Sequence, residues 1–564
     1  MGRMMKGLVK RGRGQWAMLG RGTTRIAQFA ALFCLCVALI VGCGGSQTGN
    51  APAPDATGTT GSTSGGRIAM GTTQKIETLD PADVYTIFGG ILLYNLGDRL
   101  YTYEPGTTDI VPQLATEMPT VSEDGLTYVI PLRQGVKLHD GTDFNAEVMK
   151  FSIDRFMQNG GGPSFLLSDQ VESVTASGDY ELTIKLKSPF AAFPALLTFW
   201  GVTPVPPSSY EIGEGKFKPD SFIGSGPYKV ASLTPDSIKL DVNPDYWGEK
   251  PANDGIDIQI YASPANLYNT FRTKGLDVAY QTLDPEQITS LKRETSSGGW
   301  EVIEAGTTVV NYMTLNQKVE PTNDLNVRKA IAAMIDRNLI NERVFQGQAA
   351  PLYTIIPPAF EDSVPVFKEA YGDGNFDKAR EFLTAAGYSE ANPLNFEVWY
   401  PSASTIRANV ANTMKQSIER GLPGLVTVTV NSAERATLSQ GVDNGLYQTV
   451  LLNWYPDFFD PDNFVHPFLS CDQGSPETLC QRGASQGNGS FYYSPKANEL
   501  VTKQRAEQDP AARAKMFKDL QTLLVEDVPY IPLWQNKDYI FVQNTVKGAA
   551  IQPTQQFFFW QMSK

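Results

Sequence analysis

Val327-Arg328-Lys329-Ala330-Ile331-Ala332-Ala333-Met334-Ile335 carries apolar side chains at Val327, Ala330, Ile331, Met334 and Ile335. That is the i, i+3, i+4, i+7, i+8 stripe of a helix laid on a core. Phe376, Ala379, Phe382, Leu383 and Ala386 repeat it, and Gly387 stands where a C-terminal cap belongs. Asp509-Pro510 reads as an N-cap followed by Pro at the first helical position. Met516, Phe517, Leu520, Leu523 and Leu524 form that helix's buried face. Strand patches at 426–430 and 449–452 alternate with the helices, so the second half is an α/β lobe.

The first half is richer in short strands. Residues 128–132 and 182–186 alternate with period two, and 67–70 begins the ordered chain. Between the first two, 145–157 reads as a short helix with Val148, Phe151, Ile153 and Phe156 apolar. Residues 204–207, with Pro at both Pro204 and Pro207, mark a boundary. No internal repeat is visible.

The N-terminus adds a compartment. Arg3, Lys6, Lys10, Arg11, Arg13, Arg21 and Arg25 precede an apolar run from Ile26 to Gly42, broken only by Gln28. A basic region, an apolar stretch and a small residue before the cleavage point make a secretory signal. Ile40-Val41-Gly42-Cys43 has the pattern of a bacterial lipobox, so Cys43 is expected to carry a lipid. The apolar run is short for a spanning helix of ~20 residues. Residues 44–66 are Gly, Ser, Thr, Ala and Pro with one Asp, one Asn and one Gln, a composition that forms a flexible tether.

Lys+Arg 47 against Asp+Glu 60 gives the 564-residue chain a net charge of −13. Loss of the seven cationic residues of the signal leaves −13 − 7 = −20. An acidic body argues against nucleic acid as a partner. Aromatics at 11% beside charged residues at 19% suggest a cleft lined by rings as well as a core. Cys34 and Cys36 leave with the signal and Cys43 takes the lipid. Cys471 and Cys480 remain, an even pair in an oxidising compartment, so a disulfide is the default. A metal site is the rival reading and needs more ligands than the lone nearby His466. With only His139 and His466, and no Gly-x-Ser-x-Gly, His-Glu-x-x-His or Walker A string, an enzyme is disfavoured. A carboxylate-pair hydrolase stays open, as does an adhesion or signalling lipoprotein. No cofactor and no metal are expected.

The chain resembles the family 5 extracellular solute-binding proteins, the peptide- and dipeptide-binding subunits of ABC importers. The resemblance rests on strings in a shared order: Pro112-Gln113-Leu114-Ala115, Ser122-Glu123-Asp124-Gly125-Leu126-Thr127-Tyr128 and Leu132-Arg133-Gln134-Gly135-Val136-Lys137-Leu138-His139-Asp140-Gly141. Gly224-Ser225-Gly226-Pro227-Tyr228, Asn243-Pro244-Asp245-Tyr246-Trp247-Gly248, Gly275-Leu276-Asp277-Val278-Ala279 and Ala385-Ala386-Gly387-Tyr388 continue it. One departure is Ala146-Glu147-Val148-Met149, where members usually read Ala-Glu-Asp-Val. Most of these strings read as scaffold, with Tyr246 and Trp247 packing rather than binding.

What the resemblance implies is a two-lobed periplasmic-binding-protein-like α/β fold (type II), with an extra small domain in the first lobe. Its expected parts are a signal at 1–42, a tether at 43–66, lobe I at 67–306 with the subdomain at about 99–203, lobe II at 307–532, and a return to lobe I at 533–564. The ligand segment is Asn453-Trp454-Tyr455-Pro456-Asp457-Phe458-Phe459-Asp460-Pro461-Asp462-Asn463-Phe464. Its Trp-x-x-Asp places on Asp457 the carboxylate that holds a peptide's α-ammonium, beside Trp454, Phe458 and Phe459. Asp460 and Asp462 are expected to form turns. Arg407 is the candidate for the ligand's carboxylate, and Tyr85, Thr86 and Phe88 of the 79–88 loop are the candidates from lobe I. Cys471 follows at a spacing like that of dipeptide-binding members, whose disulfide here is expected to stiffen the cleft rim. The implied partners are a peptide ligand, a membrane permease with ATPase subunits, and the membrane itself through the lipid. The implied receptor is a monomer on the outer face of the bacterial cytoplasmic membrane or in the periplasm. An oligosaccharide-binding receptor of the same family is the alternative, given the rings around Asp457.

Overall fold

Two long strands, Trp300–Leu315 and Tyr530–Gln543, pair antiparallel in a computed structural model of the protein. The structure describes residues 66–281 and 283–564. The signal at 1–42, Cys43 and the tether up to residue 65 lie outside the described residues.

An eleven-stranded sheet runs through this pair. On one side Tyr530–Gln543 pairs with Val278–Tyr280, which lies beside Ile68–Thr72 and then Gly255–Ile260. On the other side Trp300–Leu315 pairs with Thr449–Trp454, followed by Leu394–Pro401 and Val426–Ala433 in parallel. The register of the two long strands slips between Gly306 and Val310, an irregularity of the kind that bends a strand.

Each side buries its own core. The larger cluster takes residues from Ile68 to Ile258 and from Ile540 to Met562, and the other spans Val310 to Trp534. The helix Leu325–Met334 buries Val327, Ala330, Ile331 and Met334 as its stripe requires. Phe376–Ala385 buries Ala379 and Leu383, and Gly387 is left-handed (φ 85°) where the chain turns away. Pro510–Asp527 is capped by Asp509, whose carboxylate accepts the Ala511 N–H at 3.0 Å.

The small subdomain is a four-stranded antiparallel sheet, Thr120–Val121, Thr127–Pro131, Glu181–Leu186 and Val171–Gly178, with the helix Ala146–Gln158 packed on it. Its apolar side chains join the first lobe's cluster, so it has no separate core. The signature strings are scaffold. The Tyr246 hydroxyl (3.1 Å) and the Trp247 indole N–H (2.9 Å) both donate to the buried carboxylate of Asp98. Gly226 is needed for close approach, because a Cβ there would lie 2.4 Å from the Leu96 carbonyl carbon. Cys471 and Cys480 are bonded across the hairpin Gln473–Ser475 and Leu479–Arg482. The hairpin lines neither of the two cavities at Asp457.

Candidate functional site

The segment 453–464 leaves the sheet because Pro456 has no N–H to continue a ladder. Its two ends are tied by one side chain. The Trp454 indole N–H (2.9 Å) and the Asp457 backbone N–H (3.3 Å) both donate to Asn463 Oδ1. The three aspartates of the segment then divide. Asp460 accepts both ends of the Arg513 guanidinium, at 2.7 and 2.8 Å. Asp462 faces Arg505 at 3.4 Å and accepts from the Gln504 amide.

Among the described residues Asp457 has no such cation. It is 9% exposed, and the Tyr85 hydroxyl donates to its Oδ1 at 2.7 Å from the first lobe. Burial pushes its carboxyl up to about 6, against the lowering effect of the hydrogen bonds from Tyr85 and Asn463. A buried carboxylate without a counter-ion is costly, and its natural complement is a cation brought from outside.

Two cavities meet at Asp457 and Phe458. The one of about 40 Å³ is lined by Tyr94, Tyr103, Trp200, Pro456, Phe459 and Gln555, among others. The one of about 130 Å³ adds Trp454, Phe165, Phe190, His466 and Arg505. Phe459 stacks on Phe360 at 4.0 Å, and its N–H donates to the Tyr103 hydroxyl oxygen at 3.0 Å. Phe458 meets Phe190 edge-on at 5.9 Å.

Arg407 lies in the first turn of the helix Thr405–Gly421, on the Asn453 side of the segment. Its guanidinium donates to the Asn453 Oδ1 and, at 3.4 Å, to the Ser404 hydroxyl. Burial lowers its pKa, and its Nε is buried without a partner. A partly buried cation at the positive end of a helix suits an anion.

The profile of the bacterial extracellular solute-binding proteins, family 5 Middle, matches residues 109–476. The chain belongs to that family. Among curated relatives of this family 5 protein, the di/tripeptide-binding protein 2 of Pseudomonas aeruginosa is 27% identical over 86% of this chain and 92% of its own. The dipeptide-binding protein of Escherichia coli is 26% identical, over 84% of this chain and 89% of its own. The E. coli glutathione-binding protein GsiB is 25% identical, over 87% and 93%. Two solved structures show the same fold. HbpA2 of Haemophilus parasuis has a TM-score of 0.75 at 21% identity, covering 88% of this chain and 99% of that one. The Helicobacter pylori DppA in complex with the peptide STSA has 0.69 at 22%, covering 88% and 98%.

The structure of this family 5 member brings together Asp457, Tyr85, Trp454, Phe458 and Phe459. Two expected lobe I residues stand elsewhere. Phe88 is 1% exposed and stacked on Tyr280, which makes it core rather than cleft lining. Thr86 occupies the N-cap position of the helix Ile87–Leu96 without capping it, and lines neither cavity. Sequence reasoning missed Tyr94, Tyr103, Trp200 and Gln555, which come from a helix, a strand and two turns and share no spacing signal. Gln555 reaches across to donate to the Thr308 hydroxyl at 2.7 Å.

Proposed function

We propose that this chain is the extracytoplasmic peptide receptor of an ABC importer, holding short peptides between its lobes for a membrane permease and its ATPase subunits. The observation that carries the reading is the division of the three aspartates. Asp460 and Asp462 have their arginines, while Asp457 waits in the cleft with only a phenol and an amide. In this reading Asp457 takes the ligand's α-ammonium and Arg407 its carboxylate. Asn453, which touches Arg407, and Asp457 are four residues apart, so their Cα atoms lie no more than ~14 Å from each other. That span suits di- and tripeptides better than long ones. The names of the relatives point the same way.

We read 67–306 as lobe I, with the subdomain at about 99–203, 307–532 as lobe II, and 533–564 as the return, so that the slipped register at 306–310 is the hinge. A peptide needs more room than cavities of about 40 and 130 Å³ provide, so the lobes must part to admit it. Tyr85 then acts as the latch, donating to Asp457 when the lobes close. The sugar reading is weaker because its aromatic platforms are occupied. Phe459 stacks on Phe360, and Phe458 and Trp454 meet Phe190 and Phe468 edge-on, each at 5.9 Å. Titration of free dipeptides and of neutral oligosaccharides tests the choice. Retention of intact dipeptides supports the receptor, whereas retention of sugars alone, or cleavage of the peptide, rejects it.

The proposed location is the outer face of the cytoplasmic membrane, reached through a lipid on Cys43, with the receptor a monomer. Cys43→Ser should leave the protein soluble or unprocessed. Membrane fractionation of that variant at the mature size of wild type would contradict the anchor.

A further inference from the structure

The two cavities that meet at Asp457 differ in what they can hold. A peptide's α-ammonium and its first side chain hang from the same Cα, so an ammonium paired with Asp457 brings that side chain to one cavity or the other. The cavity of about 40 Å³ has room for little more than a water, whose share of liquid volume is about 30 Å³. The cavity of about 130 Å³ approaches the ~150 Å³ that holds a benzene ring in an apolar protein core.

The larger cavity is walled from two distant parts of the chain. Phe165, Leu166, Phe190 and Leu196 form one wall, and Trp454 and Phe458 of the ligand segment form the other. Leu166, Phe190 and Leu196 are buried, whereas Phe165 is 43% exposed. The Phe165 ring meets Tyr85 edge-on at 6.1 Å, beside the phenol that donates to Asp457.

Asp169, Asp457, Asp462, His466 and Arg505 also line this cavity, and of these only Asp457 asks for a charge from the ligand. Asp169 is exposed and keeps its water. Asp462 is answered by the Arg505 Nε at 3.4 Å and by the Gln504 amide. Arg505 in turn lays its guanidinium over the Phe190 ring, 4.3 Å from the centroid. Burial, then the charge of Arg505, lower the pKa of His466 and leave its imidazole neutral at pH 7. A charged first side chain would therefore exchange its water for groups that already answer one another.

We propose that the larger cavity receives the ligand's first side chain and selects a bulky aromatic one, so that the preferred substrates are short peptides with phenylalanine or a similar residue at the N-terminus. This rests on the peptide reading above and adds a substrate class to it. Apolar walls with few polar groups favour such a ring through burial rather than charge. The rings already present can meet it edge-on, as Phe458 meets Phe190.

Calorimetric titration of the full mature protein with Phe-Ala, Ala-Phe, Ala-Ala and Glu-Ala tests this. Phe-Ala and Ala-Phe have one composition, so a difference between them reports position. Phe-Ala should bind about tenfold or more tighter than each of the other three. A crystal structure of the Phe-Ala complex should show the phenyl ring in contact with Phe165, Phe190 and Trp454. A ring found elsewhere would overturn the assignment to this cavity. Phe-Ala binding no tighter than Ala-Phe, Ala-Ala or Glu-Ala would overturn the preference and leave the peptide reading standing. Failure of all four dipeptides to bind would instead sink the peptide reading, and this inference with it.

Discussion

Asp457→Asn should weaken dipeptide binding by at least about a hundredfold. Removing one partner of a buried charge pair typically costs ~3–5 kcal/mol, and each 1.4 kcal/mol is about tenfold. Asparagine keeps the shape and can still accept the Tyr85 hydroxyl, so the loss reports charge rather than packing. The empty protein should behave in the opposite sense. With its carboxyl raised from 3.8 to about 6, ionised Asp457 is a burden on the folded state. The favourable contribution of the protonated acid is complete below about pH 4 and is lost as pH rises through about 6. At pH 7 that loss is about 3 kcal/mol. Empty Asp457→Asn should therefore melt like wild type near pH 4 and a few degrees higher at pH 7. Ligand affinity of the wild type should fall as pH drops through about 6, and that of the variant should not. A variant that binds dipeptides like wild type, with the same pH profile, would remove Asp457 from the site.

Arg155→Met should be the most destabilising single change to the ligand loop, at ~3–5 kcal/mol. The Arg155 guanidinium clasps Asp80 at 2.6 and 2.7 Å, and their side chains are 1% and 0% exposed. Asp80 is also the anchor of its own loop, accepting the N–H groups of Ala82 (2.9 Å) and Lys218 (2.6 Å). Without Arg155 that carboxylate stays buried and uncompensated at the root of the turn that carries Tyr85. Denaturant unfolding should show the loss, and adding Asp80→Asn should return part of it by removing the stranded charge. Unfolding of the single variant at the wild-type midpoint would mean that the pair contributes nothing.

The elements that could be read from the sequence are those whose signal is local. The stripe at Val327–Ile335 requires a helix on a core, and the Asp509-Pro510 cap fixes where another begins. The Trp-x-x-Asp string singled out Asp457 by resemblance. What stayed hidden was decided by distant partners. Nothing within 453–464 shows that Asp460 pairs with an arginine, because Arg513 arrives from 53 residues away. The Tyr85 contact spans 372 residues. Phe88 was misplaced because a ring near a binding loop looks the same whether it faces a ligand or stacks on Tyr280.

The central claim is that the cleft recognises a free α-ammonium. Its most direct test is calorimetric titration of wild-type protein with a dipeptide and with the same dipeptide acetylated at its Nα. The free peptide should bind, and the acetylated one should bind at least about a hundredfold more weakly, since it lacks the cation that Asp457 requires. Equal affinity for the two would contradict the assignment.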